Sequence, residues 1–296
     1  MNDRLFTGSA TALITPFVHG EIDFPALGRL IDRQLAAGTD ALVVCGTTGE
    51  PPALTQAEKD SLLEFTLRRV ENRVPVIAGT GSNCTKTSVE QSVRAEKLGA
   101  DALLVVTPYY NKATQQGLIA HYTAVADAVD CPIILYNVPS RTGVNLLPET
   151  AARLMEHENI LGIKEASGDL SQFAELSRLC GGRLALYAGN DDQALPMLSL
   201  GAQGVISAAA NVIPEPIHRL VVSWFEGDTG AARTVQLSLL PLIRLLFSEV
   251  NPIGVKAALK LTGICLAEAR LPLTRLSEEK WEPLRAELEH LDIRGR

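Results

Sequence analysis

The 296-residue sequence is poor in features that would tie it to a membrane, an oxidising compartment or a nucleic acid. Its five cysteines, Cys45, Cys84, Cys131, Cys180 and Cys265, are odd in number, widely scattered and form no CxxC pair. Such a set reads as free thiols in a reducing, cytoplasmic setting rather than as a disulfide framework. No uninterrupted apolar stretch reaches the roughly 18 residues of a membrane span. The opening Met1-Asn2-Asp3-Arg4-Leu5-Phe6 lacks the apolar core of a signal peptide. There is no basic run and no interleaving of basic and aromatic residues. With a formal net charge of −7 the chain has no electrostatic reason to seek nucleic acid. The histidines (His19, His121, His157, His218, His290) form no ligand spacing, so no metal site is expected.

What is present is a repeated alternation. Short apolar runs, rich in β-branched residues and bounded by Gly, Pro, Asn or Asp, occupy Ser9–Phe17, Ala41–Gly46, Val74–Thr80, Ala102–Pro108, Pro132–Asn137, Ile160–Ala166, Leu184–Asn190 and Gly204–Ala210. Their apolar residues are consecutive, which predicts strands buried on both faces, as in a parallel sheet covered by helices. Between and after them, helical spacing predicts helices over Phe24–Ala37, Thr55–Val70, Thr85–Leu98, Thr114–Ala128, Pro148–Glu156, Leu170–Cys180, Ala194–Leu200 and Pro214–Glu226. Thr55 with Glu58 makes a capping box, Pro148 suits a first turn, and Gly38, Gly99 and Gly201 fall at helix ends. Eight strand–helix units predict a (β/α)8 TIM barrel over residues 1–226, ordinary at about 250 residues. An open doubly wound sheet is the competitor, but the first strand ends Ile14-Thr15-Pro16-Phe17 with no GxGxxG. The remaining residues 227–296 read as a C-terminal helical extension (Thr229–Glu249, Pro252–Thr262, Ser277–His290) packed on the barrel, with no linker.

A barrel carries its active site at the C-terminal ends of its strands. There the sequence places Gly46-Thr47-Thr48-Gly49-Glu50, Thr107-Pro108-Tyr109-Tyr110-Asn111, the segment from Tyr136 to Gly143, Ile163-Lys164-Glu165-Ala166 and Gly189-Asn190-Asp191-Asp192. Lys164 interrupts an apolar strand, and its face carries the small Gly162 and Ala166. Burial lowers a lysine pKa, and a neutral amine attacks a ketone to form an imine. The alternative is a lysine paired with Glu165 or exposed at the strand end. Tyr136, Tyr110 and Thr47 end different strands and can bring hydroxyls together at the mouth; singly, each tyrosine reads more readily as a half-buried ring with a satisfied hydroxyl. Thr47-Thr48-Gly49 is either a capping turn or a nest for a carboxylate. Arg141 suits a carboxylate-bearing substrate or a structural ion pair. Asp191-Asp192 reads as a polar turn, and Lys256 with Lys260 as a solvated helix stripe.

Taken together, these segments and Asn251-Pro252-Ile253 resemble the dihydrodipicolinate synthase (4-hydroxy-tetrahydrodipicolinate synthase) family within the N-acetylneuraminate lyase superfamily, from about Phe6 to the C-terminal helices. The resemblance implies a Schiff-base lyase of lysine and diaminopimelate biosynthesis. Lys164 would form the imine with pyruvate. Tyr136 would donate and accept protons above it, and Thr47 and Tyr110 would complete a relay, with Tyr110 reaching a neighbouring subunit's site. Thr48 and Ile206 would hold the pyruvate, Gly189 would align with the family's Gly-Asp-Asp, and Arg141 would bind the carboxylate of aspartate-4-semialdehyde. The sequence departs from that Gly-Asp-Asp by an added or shifted polar residue at Asn190. No metal or organic cofactor is implied, because the protonated imine is the electron sink. A homo-oligomer, dimer or tetramer, is implied. Sister enzymes acting on 2-keto-3-deoxy sugar acids, 4-hydroxy-2-oxoglutarate or sialate, and a silent binding barrel, are the rival readings; Arg141 argues against the sialate polyol.

Overall fold

A computed structural model describes residues 5–293, so the opening tetrapeptide, and with it most of the segment read as lacking a signal peptide, lies outside the described residues. Eight parallel strands close into a barrel: Gly8–Ala12, Ala41–Val44, Val76–Gly79, Ala102–Val106, Ile133–Asn137, Ile160–Glu165, Ala185–Ala188 and Gly204–Ser207. Closure comes from the first strand, which pairs on one side with the second (Ala10 with Ala41) and on the other with the eighth (Ala10 with Ile206). The architecture is therefore the (β/α)8 barrel that the alternation predicts. The strands are shorter than their apolar runs. Phe17 lies outside the first strand and joins Val18 in a small antiparallel ladder with Glu21–Ile22.

Consecutive apolar residues serve two cores at once, because successive side chains point to opposite faces. Inward-facing Ala10, Ala12, Ala41, Val43, Ile77, Ala102, Leu104, Ile134, Tyr136, Tyr187 and Ile206 fill the barrel. Their neighbours, such as Leu42, Val44, Leu103, Val105, Leu135 and Ile163, pack outward against the helices. Fully burying each of these larger aliphatic side chains stabilises the fold by about 1.5–3 kcal/mol. Phe6 plugs the barrel: it stacks on Tyr187 at 4.4 Å, and the Tyr187 hydroxyl donates to the Phe6 carbonyl at 2.6 Å. Gly162 makes room for this plug, since a Cβ there would stand 3.1 Å from Leu5.

The helices form where the capping signals place them. Asp23 caps the helix Phe24–Ala36 by accepting from the Ala26 N–H at 2.9 Å. That helix buries Gln34, which accepts from Thr11 Oγ1 at 2.6 Å and donates to the Ala210 carbonyl at 2.8 Å, a polar tie across the closing seam. The capping box at Thr55 and Glu58 is complete. The extension comprises Thr229–Leu246, Ile253–Leu261 and Glu278–His290. Three of its side chains reach the barrel mouth. Asn251 Nδ2 donates to Thr48 Oγ1 at 2.9 Å, Lys256 pairs with Glu50, and Arg270 forks onto Glu58 at 2.5 and 3.0 Å.

Lys256 overturns the solvated-stripe reading. Its side chain is 1% exposed, whereas Lys260 on the same helix is exposed and lies over the Trp281 ring. Helical spacing groups residues four apart but does not say which neighbour covers them. Here Glu50, the Glu268 carbonyl and the Phe17 ring close over one lysine and the other stays at the surface. Burial pushes the Lys256 amine below the ordinary lysine range, opposed by the Glu50 carboxylate.

The Arg270 hydrogen bond holds the Glu58 carboxyl low, to about 2, against partial burial and with the help of the Thr55 main-chain donor. A depressed carboxyl contributes stability that is present above its unfolded value, about 4.3, and is lost as pH falls through its folded value. Glu58→Gln should therefore cost about 1 kcal/mol near neutral pH. The gap between parent and variant should narrow as the pH of a urea denaturation series is lowered through the acid range. A gap independent of pH would show that the Arg270–Glu58 fork does not stabilise the fold.

Candidate active site

The barrel register sets the site. Lys164 pairs in register with Tyr136 on one side and with Tyr187 on the other, so three side chains from neighbouring strands stand at one level inside the barrel. Lys164 is 6% exposed, and its Nζ lies 4.6 Å from the centroid of the Tyr136 ring. Among the described residues Nζ has no hydrogen bond and no carboxylate partner. The alternative that Glu165 pairs with it does not hold, because Glu165 is the next residue along a strand and faces out of the barrel.

That outward residue has its own task. Glu165 is buried, which raises its carboxyl above the usual range. It accepts from Asn137 Nδ2 at 2.9 Å, from the Ser167 N–H at 2.6 Å and from Gln172 Nε2 at 3.2 Å. Asn137 is the outward neighbour of Tyr136; it also donates to Asn145 Oδ1 and accepts from the Leu146 N–H. The two residues beside Tyr136 and Lys164 thus bond to each other behind the wall, and this fixes the strand ends that carry the inner pair. Period-2 geometry in the sequence predicts their direction; the donors they find are set by loops and were not legible.

The seventh strand closes tightly on the sixth. The Gly189 N–H donates to the Glu165 carbonyl at 2.7 Å, and a Cβ on Gly189 would stand 2.7 Å from Ala166 Cβ. Only glycine permits that approach. Asp191 corrects the polar-turn reading: it is 2% exposed, whereas Asp192 faces solvent. Its carboxylate accepts from Ser207 Oγ and from the Ala208 and Ala209 N–H groups at 3.3 and 3.2 Å, so it ties the seventh strand's loop to the residues following Ile206. Burial raises the Asp191 carboxyl; the Ser207 bond, the Ala209 N–H and the charge of Lys164 pull it down. Ile206 itself is fully buried inside the barrel.

Above these groups opens a cavity of about 370 Å³ lined by residues that include Thr47, Tyr109, Val138, Arg141 and Asn251. Lys164 and Tyr136 are not in its lining; Tyr136 lies two residues back along the chain from Val138 and faces the same interior. Thr47 begins the 3-10 turn Thr47–Gly49 after the second strand, and Thr48 is buried under Asn251. Arg141 sits in the short helix Pro139–Thr142. Its guanidinium makes no hydrogen bond or ion pair among the described residues, so the structural ion-pair alternative has no partner here. Arg270, also at the rim, is by contrast fully engaged by Glu58, Gly20 and Ala53. Tyr110 stands apart: it is 85% exposed, with φ 74° in the left-handed region, and is not in the cavity lining. Among the described residues no group of three or more His, Cys, Asp or Glu could hold a metal ion, and no helix is long and apolar enough to cross a membrane.

The arrangement places a free guanidinium in the cavity lining, with an amine and a neighbouring phenol side by side in the barrel interior, where Tyr136 shares its cluster with the lining residue Val138. Comparison with known proteins bears on what it does. Residues 5–291 match the family model described as the dihydrodipicolinate synthetase family. A 4-hydroxy-tetrahydrodipicolinate synthase from a Thermoanaerobacter species is 50% identical over 285 residues, 96% of each chain. The crystal structure of the dihydrodipicolinate synthase from Aquifex aeolicus superposes with a TM-score of 0.96 at 45% identity, covering 98% of this chain and 100% of that one. The Acinetobacter baumannii enzyme, solved in complex with pyruvate, gives 0.95 at 43% identity over 97% and 99%.

Proposed function

The chain belongs to the dihydrodipicolinate synthetase family, and from that we propose that it condenses pyruvate with aspartate-4-semialdehyde through an imine at Lys164. The observation that carries the reading is the lysine itself: an amine inside a barrel, without a carboxylate partner, beside a phenol. The amine adds to the pyruvate ketone, and the carbinolamine loses water to give the imine. Tyr136 supplies and removes the protons of these steps, with Thr47 as the next hydroxyl at the mouth. Loss of a methyl proton gives the enamine, whose carbon attacks the aldehyde. The amino group of the semialdehyde then displaces Lys164 as the product closes its ring.

Thr48, Gly189 and Ile206 enter the proposal as the pyruvate-binding wall: a hydroxyl fixed by Asn251, a glycine that lets the backbone approach, and an apolar floor. Arg141 takes the semialdehyde carboxylate, and its unengaged guanidinium supports that role over a structural one. The division into a barrel over 1–226 and an extension over 227–296 belongs to the same proposal; the reach of Asn251, Lys256 and Arg270 to the mouth supports reading the extension as part of one unit.

Borohydride added with pyruvate should fix one three-carbon adduct on Lys164, read by intact mass and peptide mapping. An unmodified protein, or an adduct on another lysine, would remove the mechanism.

Arg141→Ala should raise the KM for aspartate-4-semialdehyde far more than that for pyruvate, because a charge-assisted contact to a carboxylate is worth about 1.5–3 kcal/mol. Equal effects on both substrates would take the role from Arg141.

Tyr110 carries the assembly. An exposed tyrosine in a left-handed backbone, outside its own cavity lining, fits a partner's site, and we place this chain in a homo-oligomer, a dimer or a tetramer. Sedimentation velocity at assay concentration should show no monomer in the active fraction, and Tyr110→Phe should lower kcat without dissociating the assembly. A fully active monomer would overturn this.

A further inference from the structure

Two charged side chains at the mouth are sealed from solvent and have no part in the imine chemistry: Glu50, 3% exposed, and Lys256, 1%. Taken alone, a buried ion pair is a weak source of stability, because desolvating both charges offsets their attraction. Its placement gives it another use. Glu50 ends the turn Thr47–Gly49: its N–H donates to the Thr47 carbonyl at 3.2 Å. Its backbone stands at φ 57°, ψ 43°, a left-handed conformation that a non-glycine residue keeps only when its surroundings impose it. The surroundings here come from the extension. Lys256 pairs with the Glu50 carboxylate, and the Arg270 N–H donates to Glu50 Oε2 at 3.1 Å. Lys256 Nζ is itself aimed by the Glu268 carbonyl at 2.7 Å and lies 4.2 Å from the Phe17 ring centroid. From the barrel side the same turn is held by Thr15 Oγ1, which donates to the Gly49 carbonyl at 2.7 Å.

We propose that Lys256 is a positioning residue for the reaction: through Glu50 it fixes the turn that presents the Thr47 hydroxyl at the mouth above Tyr136 and Lys164. The inference rests on the proton-relay role of Thr47 proposed above. An apolar pair would fill the same volume, but it would not hold one carboxylate in one direction. The ammonium, anchored by a carbonyl on its far side, does so. The extension therefore acts on catalysis at a distance from the substrate, through a strained residue adjoining the turn.

Lys256→Met keeps the length of the stem and its contact with Phe17 while removing the charge. The informative set is Lys256→Met, Thr47→Val and the two combined, each measured for kcat, for pyruvate KM and for borohydride trapping at Lys164 with saturating pyruvate. Lys256→Met should lower kcat by about tenfold, move the pyruvate KM by less than about threefold, and be trapped to the parent stoichiometry. On the Thr47→Val background its further effect on kcat should shrink below about threefold, because the group it acts through is gone. A Lys256→Met enzyme with parental kcat, or a loss of the same size with and without Thr47, overturns the proposal. If Lys256→Met does not fold, Glu50→Gln, which keeps the Arg270 acceptor and drops the charge, decides by the same measurements. Failure of the parent itself to form a Lys164 adduct would overturn the imine reading, and this inference with it.

Discussion

A lysine without a partner inside a closed barrel is the constraint on which the rest of the site depends. An amine taken out of water is expensive unless it is paired, and among the described residues Lys164 has no hydrogen bond and no ion pair, Asp191 feeling its charge only from a distance. The fold carries that cost because everything around the residue is over-determined. Closure removes every sheet edge, so the level of Tyr136, Lys164 and Tyr187 is set by ladder pairing on both sides of the sixth strand. Alanines at 10, 12, 41, 102 and 185 keep the interior narrow enough to fill, and the stacked Phe6 and Tyr187 seal it from below. What is left for the amine is the direction of the mouth.

The wall divides the work between its two faces. Inside, the amine of Lys164 is kept free of competing hydrogen-bond partners among the described residues. Outside, one residue away, Asn137 and Glu165 use all the hydrogen bonds the inner pair forgoes. This separation is physically economical: a network strong enough to lock two strand ends would quench the amine if it faced inward. Asp191 plays the same part between the seventh and eighth strands, where its carboxylate gathers Ser207 and two main-chain donors beside Ile206.

How much of this could be read from the sequence follows from range. The barrel was legible because burial of parallel strands on both faces leaves consecutive apolar runs, and eight of them alternate with helices. Gly38, Gly99 and Gly201 marked helix ends because a positive φ is demanded there, and all three have it. Strand ends were less legible: Ile14 to Phe17 continue the apolar run but leave the ladder, since apolar content reports burial and not pairing. Lys164 stood out as a charge in such a run. Lys256 did not, because its helix is amphipathic and its cover comes from Glu50 and Glu268, one of them about two hundred positions away in the chain. Arg141 could be singled out but not assigned, since a free guanidinium and a paired one look alike until every neighbouring carboxylate is placed.

The contrast between the two buried lysines carries the argument one step further. Both are buried, yet among the described residues Lys164 contacts an aromatic face and bonds to no acceptor, whereas Lys256 meets an aromatic face, a carboxylate and a carbonyl. A lysine with a full set of acceptors is held in one orientation, which suits support. A lysine with no hydrogen-bonded acceptor is free to turn toward an incoming ketone, which suits the attack proposed for Lys164. The difference in partners, not the difference in burial, therefore separates the two roles. The extension supplies Lys256 and the Glu268 carbonyl from outside the barrel, and neither they nor Glu50 bonds to Lys164.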